Sequence, residues 1–145
     1  IALAEKEGGK ILWGGKAVKL NGRCKNGWFI KPTIIEGLTN AAKTNQEEIF
    51  GPVVTLIPFD NEEDAVQIAN ESDYGLSATI WTENEEKANR VSNQVEAGVI
   101  WVNCWLVRDL RTPFGGMKQS GMGREGGSEA LRFFTEQKNV CTSTV

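Results

Sequence analysis

Histidine is absent from the 145 residues, and this removes more chemistry than any other compositional feature. Without imidazole there is no Ser/His or Cys/His pair to activate a nucleophile, and most metal sites lose a usual ligand. Three cysteines remain, Cys24, Cys104 and Cys141. They are an odd, widely spaced set with no C-x-x-C, so they read as reduced thiols rather than a disulfide framework or a zinc site. Cys104 follows a strand-like run, but Val102-Asn103-Cys104-Trp105 offers no base and no near cation to depress a thiol pKa, and it is read as structural. Ser120 likewise lacks a base. Gly121-Met-Gly123-Arg-Glu-Gly126 spells the dinucleotide fingerprint. That fingerprint needs a strand before it, a helix after it, then a second strand and an acidic residue about 20 positions on; here a loop precedes it and Val145 comes too soon. The stretch is expected to be a tight structural loop, with Lys118, Arg124 and Glu125 as a charge cluster in the longer glycine-rich segment, Phe114 to Gly127, that contains it. Two charged stretches are left over: Glu47 and Glu48 ahead of Ile49-Phe50-Gly51-Pro52, and Arg108 and Arg111 flanking Asp109.

The elements that must position these groups are those of an α/β domain. Val53 to Phe59 is an apolar run of strand length, followed by Asp60 or Asn61 as N-cap and acidic Glu62, Glu63 and Asp64 in a first helical turn. Ala65, Val66, Ile68 and Ala69 share a helical face, and Gly75 stands where a left-handed C-terminal cap is wanted. The pattern then repeats: a strand over Leu76 to Trp81, a cap at Thr82 or Asn84, a helical stripe of Ala88, Val91 and Val95, a stop at Gly98, and a strand over Val99 to Asn103. Parallel neighbours cannot be joined by a hairpin, so this order predicts two consecutive crossover units in a parallel sheet covered by helices. Earlier, Ile1 to Glu7 reads as a helix tail, Lys10 to Trp13 as a strand, and Trp28 to Ile35 as a strand whose Pro32 suits an edge or bulge. Later come a glycine-rich loop over Phe114 to Gly127, a helix from Ser128 to about Glu136, and an extended segment from Lys138 to Val145.

Composition narrows the partners. The 16 basic and 19 acidic residues give a net charge of −3 with no basic block, so a nucleic-acid partner is not expected. No apolar run approaches the roughly 20 residues that span a bilayer, and no signal peptide opens the chain. With reduced cysteines, the expectation is a soluble, cytoplasmic protein without a membrane partner. The opening Ile1, where a Met would start a chain, suggests a piece of a longer or processed protein.

Two motifs carry a resemblance. Glu47-Glu48-Ile49-Phe50-Gly51-Pro52-Val53, and Thr112-Pro113-Phe114-Gly115-Gly116-Met117-Lys118-Gln119-Ser120-Gly121-Met122-Gly123-Arg124-Glu125, together resemble the aldehyde dehydrogenase superfamily in order and separation. The resemblance runs over essentially the whole chain and matches the last third of such an enzyme. It implies a fragment of the α/β catalytic domain over residues 1–127, then a C-terminal helix and oligomerisation strand over 128–145. It also implies that Glu48 accepts hydrogen bonds from the nicotinamide ribose hydroxyls, which a carboxylate's two acceptor oxygens suit, and that Phe50 packs beside the nicotinamide. The implied cofactor is NAD, and these residues do not choose it over NADP. In the family a cysteine thiolate adds to the aldehyde, hydride passes to the nicotinamide, and water releases the acid. The motifs bearing that cysteine and the general-base glutamate are not in this stretch. No residue here is therefore assigned as catalytic, and the chain alone is expected to be inactive.

The loop Leu106 to Arg111 departs from the family's usual aromatic or apolar tunnel lining by carrying Arg108 and Arg111. Arginine pairs with carboxylates through a planar fork, so the pattern resembles the branch of the family that oxidises muconic semialdehydes. Arg108, Arg111 and Phe114 are the expected substrate contacts; an internal pair of Asp109 with one arginine is the alternative. The other implied partners are the rest of the enzyme chain and further copies in a homo-oligomer, joined through the Val- and Thr-rich last strand. Two competing roles are a non-catalytic assembly module and an inactive family member.

Overall fold

A computed structural model describes residues 1–144; Val145, the last residue of the expected terminal strand, lies outside them. The chain is mixed α/β and divides into two compact units, Ile1–Ser72 and Asp73 onward.

In the first unit, helix α1 (Ala2–Lys6) runs into strand β1 (Lys10–Trp13). Strands β2 (Ala17–Val18) and β3 (Phe29–Ile30) pair as an antiparallel ribbon. Next in the chain are strand β4 (Thr33–Glu36), the single-turn helix α2 (Lys43–Gln46), strand β5 (Val53–Leu56) and helix α3 (Glu62–Asn70). The three longer strands form one sheet in the order β1-β4-β5, with β4 antiparallel to β1 and parallel to β5. The expected strand from Trp28 to Ile35 is thus two strands. Pro32 has no amide to donate to a ladder, so pairing breaks there, and β4 beyond it is the central strand of the sheet instead of an edge. Ala4, Ile35 and Leu38 form the buried core, with Ile11, Ala42 and Val53 packed on it.

The second unit holds strands β6 (Tyr74–Gly75) and β7 (Ser77–Ile80), helix α4 (Glu85–Gln94), strands β8 (Val99–Val102) and β9 (Met117–Lys118), and helix α5 (Gly127–Phe134). Strands β7 and β8 are parallel neighbours with α4 between them in the chain, while β6 pairs antiparallel with β9. The parallel pairing expected of the second unit is therefore seen, and that of the first is not. Strand β5 pairs with β4, so α3 links strands of different sheets. Ala88, Ala97 and Trp101 are the buried apolar residues here. Residues 135–144 take no strand pairing among the described residues.

The starts of α3 and α4 obey local chemistry. The Asp64 amide donates to Asn61 Oδ1 at 2.9 Å, the Asp60 amide to Asp64 Oδ2 at 3.0 Å, and the Lys87 amide to Asn84 Oδ1 at 2.8 Å. Helix ends do not. Glu71 and Val95, not Gly75 and Gly98, close α3 and α4, and neither glycine has a positive φ. Both are needed for close backbone approach instead: a Cβ on Gly75 would lie 2.2 Å from the Glu96 carbonyl oxygen, and one on Gly98 would lie 1.7 Å from that of Gly115. Among the described residues no helix is long and apolar enough to cross a membrane.

Candidate functional site

In the first unit the acidic motif leaves the C-terminus of α2. Ala42 gives this one-turn helix no side-chain cap. Its N-terminal donors go to Glu7 instead: the Lys43 amide donates to Oε1 at 2.8 Å, and the Thr44 amide and hydroxyl donate to Oε2 at 3.2 and 2.6 Å. The Thr44 hydroxyl is the main reason the Glu7 carboxyl sits below the ordinary glutamate range, outweighing a smaller desolvation effect in the other direction. The other side of α2 is held by the Gln46 side-chain amide donating to the Asn40 carbonyl at 2.7 Å and by Asn40 donating to the Ile68 carbonyl at 3.2 Å.

Beyond this anchored turn the two glutamates part company. Glu47 pairs with Lys43 at 3.3 Å, one turn back. Glu48 is exposed and takes no hydrogen bond or ion pair from any described residue. Two residues on, Phe50 has a φ of 51° and is 92% exposed. A bulky residue in the left-handed region is uncommon and costs free energy. The chain is fixed again at Gly51 and Pro52, where the Val53 amide donates to the Gly51 carbonyl and the Thr33 amide to the Pro52 carbonyl, both at 2.8 Å. The motif thus presents an unpartnered acceptor pair and an outward aromatic face between two fixed ends.

In the second unit the arginine loop hangs from the end of β8. The buried Trp101 donates its indole N–H to the Val107 carbonyl at 2.8 Å, and the Asn103 side chain both accepts from and donates to the Thr82 backbone, at 2.9 and 2.8 Å. The two guanidinium groups then behave differently. Arg108 lies over the Phe114 ring, 4.2 Å from its centroid, and donates one Nη2–H to Glu125 Oε1 at 2.7 Å. Its Nε and Nη1 edge has no partner among the described residues, and the side chain is 41% exposed. Phe114 and Glu125 are themselves locked together by reciprocal backbone bonds of 2.8 Å. Arg111 is 89% exposed, and its Nε and Nη2 are both engaged by Asp109. That pairing lowers the Asp109 pKa and raises that of Arg111. Arg108 and Phe114 are therefore brought together, while Arg111 forms the internal pair.

The remaining loop charges are spoken for. Lys118 pairs with Glu96 at 2.7 Å, Arg124 donates to the Gly116 and Gly123 carbonyls at 2.9 and 2.7 Å, and the Ser120 hydroxyl accepts from the Gly75 amide at 2.9 Å. Two residues with a structural claim on the site had no signal in the sequence that tied them to it: Glu7, which reaches α2 across 37 positions, and Glu125, which reaches Arg108 across 17.

Comparison with known proteins gives one consistent result. The model of the Aldehyde dehydrogenase family matches residues 1–140. The 2-hydroxymuconic semialdehyde dehydrogenase of Pseudomonas sp. (strain CF600) is 52% identical over 138 residues, which are 95% of this chain and 28% of that protein. The 2-aminomuconic semialdehyde dehydrogenase of Homo sapiens is 44% identical over 142 residues, 96% of this chain and 28% of that protein. Among solved structures, an indole-3-acetaldehyde dehydrogenase of P. syringae in complex with NAD+ and IAA superposes with a TM-score of 0.87 at 42% identity, covering 94% of this chain and 27% of that one. The chain spans just over a quarter of the length of the relatives it matches.

Proposed function

This chain belongs to the aldehyde dehydrogenase family, and on that premise we propose that it works as part of an NAD(P)-dependent enzyme that oxidises a carboxylate-bearing semialdehyde to the acid. Residues 1–127 serve the catalytic part, and residues 128–145 serve assembly. The first unit supplies a cofactor anchor. Glu48 accepts the ribose hydroxyls of the nicotinamide half, which its unpaired oxygens suit, and Phe50 offers its exposed face beside the ring. When bound, the nicotinamide is the hydride acceptor. The second unit supplies the substrate contact, with Arg108 taking the substrate's carboxylate, Phe114 beneath it, and Arg111 at the loop's outer side. Nucleophile and general base come from the rest of the enzyme chain.

The observation that carries this reading is Arg108. A guanidinium centred 4.2 Å from an aromatic ring centroid and tethered by a single N–H to Glu125, with its second edge unpaired among the described residues, is a pre-set fork for a planar anion. The names of the semialdehyde dehydrogenases similar to this chain support the substrate class. Apolar side chains on α5, Leu131, Phe133 and Phe134, are exposed, which supports a covering partner, either the rest of the enzyme or a second copy. Three unbridged cysteines among the described residues fit a reducing compartment such as the cytoplasm.

The test is NADH formation at 340 nm. The intact enzyme containing this chain is expected to reduce NAD with a carboxylate-bearing semialdehyde, and the 145-residue chain alone to give no turnover. If the intact enzyme fails to reduce NAD with such a semialdehyde, the reading fails. If the purified chain turns over and loses that activity in Cys104→Ala, Cys104 is catalytic and the division of labour is wrong.

A further inference from the structure

We propose that Glu7 is a positioning residue for the cofactor, capping α2 from outside the helix so that Glu48 is held where the nicotinamide ribose needs it. This rests on the reading of Glu48 as the ribose anchor.

A single helical turn is not self-sustaining, because nucleation fixes several dihedral angles for one hydrogen bond. Helix α2 is four residues long with no cap of its own, so its first amides need an outside acceptor. Glu7 takes both of them and the Thr44 hydroxyl as well. A carboxylate acceptor makes these bonds charge-assisted. The post itself is rigid. Glu7 comes just after α1, whose Ala4 lies in the core, and the next residues pass so close to it that a Cβ on Gly9 would sit 2.9 Å from the Ala4 carbonyl oxygen and the Leu38 side chain. Thr44 is buried.

From the other end of α2 the chain has little to hold it. Among the described residues Glu47 has only Lys43, and Glu48 has no hydrogen-bond or ion-pair partner, until the backbone is fixed at Pro52. The position of Glu48 is therefore set by α2 on one side and the entry to β5 on the other. Glu7 governs the first of these. A glutamine there keeps the size but has one acceptor oxygen in place of two, and it presents an NH2 group to the donors of α2. An aspartate keeps the charge and falls short by one methylene.

The experiment uses the intact enzyme and measures NADH binding by fluorescence titration, amide hydrogen exchange over residues 43–50, and steady-state kinetics. Glu7→Gln is expected to raise Kd for NADH and KM for NAD about five- to twentyfold, less than the loss of a direct bond to a charged group can give. Exchange at 43–50 should rise, and KM for the aldehyde should stay as it was. Glu7→Asp should recover part of both changes. In a Glu48→Gln background, Glu7→Gln should add nothing, since the group being positioned is already lost. Thr44→Val removes one donor at nearly constant volume and gives a smaller loss of the same kind should Glu7→Gln fold poorly.

Three results would each overturn the inference, and they are distinguishable. If Glu48→Gln leaves NADH binding intact, the ribose reading fails and this inference with it. If Glu48→Gln weakens binding but Glu7→Gln only lowers the melting temperature, with Kd of the folded protein unchanged, Glu7 is merely structural and the ribose anchor stands. If the two losses add, Glu7 acts elsewhere.

Discussion

Removing the Arg108 guanidinium should cost far more with a charged aldehyde than with a neutral one, and the local geometry sets how much. Arg108 is 41% exposed on its side chain, lies 4.2 Å above Phe114, and spends one N–H on Glu125. Truncating one partner of a buried, hydrogen-bonded charge pair costs about 2 to 5 kcal/mol, while a solvated pair is worth roughly 0 to 1. Partial exposure places Arg108 at the lower end of the first range, about 2 kcal/mol, or about thirtyfold in kcat/KM. Arg111 is 89% exposed and already engaged by Asp109, so Arg111→Ala should lower kcat/KM by less than about fivefold. The assay compares kcat/KM for a semialdehyde with a distal carboxylate against a neutral aldehyde of equal length, in Arg108→Ala, Arg108→Lys and Arg111→Ala. Lysine should rescue in part, keeping charge without the planar fork. Equal treatment of both aldehydes by Arg108→Ala would refute the carboxylate contact. A larger selective loss in Arg111→Ala would show that the Asp109 pair opens to admit substrate.

Three further outcomes are expected. The Glu7 carboxyl has a depressed folded pKa, so its contribution is present above the ordinary glutamate value of about 4.3 and is lost as pH falls through the lower folded value; the difference in melting temperature between the native protein and Glu7→Gln should be constant above about pH 5 and close below it. Gly98→Ala should destabilise by about 3 kcal/mol or more in denaturant titration, because its methyl would overlap the Gly115 carbonyl oxygen. Asn61→Ala removes the acceptor for the Asp64 amide and should cost about 1 kcal/mol by the same measurement.

What could be read from the sequence was local. Asn61 and Asn84 stood among the cap candidates, beside Asp60 and Thr82, because the groups they satisfy lie three residues away. Gly75 and Gly98 come after helices and so look like helix stops, but their reason for being glycine is a carbonyl elsewhere in the chain, at Glu96 and Gly115. The strand-helix-strand order predicted the parallel pairing of β7 with β8 but set β5 beside β7, where its partner is β4, since pairing depends on the partner available and not on the strand itself. The candidate site divides in the same way. The resemblance implied roles for Glu48 and Phe50, and a departure from the family pattern drew attention to Arg108 and Arg111, which spacing left equivalent. Only the contacts with Phe114, Glu125 and Asp109 separate them. Glu7 could not be found at all, because nothing near it in sequence reports a helix 37 positions away.

On the proposed reading of Phe50 as the neighbour of the nicotinamide, its backbone sets two selection pressures against each other. A left-handed φ of 51° under a large exposed ring costs about 1 kcal/mol or more relative to a residue at ease there. A library of variants ranked by thermal survival alone should therefore drift at this position towards Gly or Asn, the residues that tolerate such a backbone. Ranked by turnover with nicotinamide cofactor, it should hold the aromatic ring. The position at which the two rankings diverge would mark, without any bound ligand in view, a place where this chain gives up stability for work.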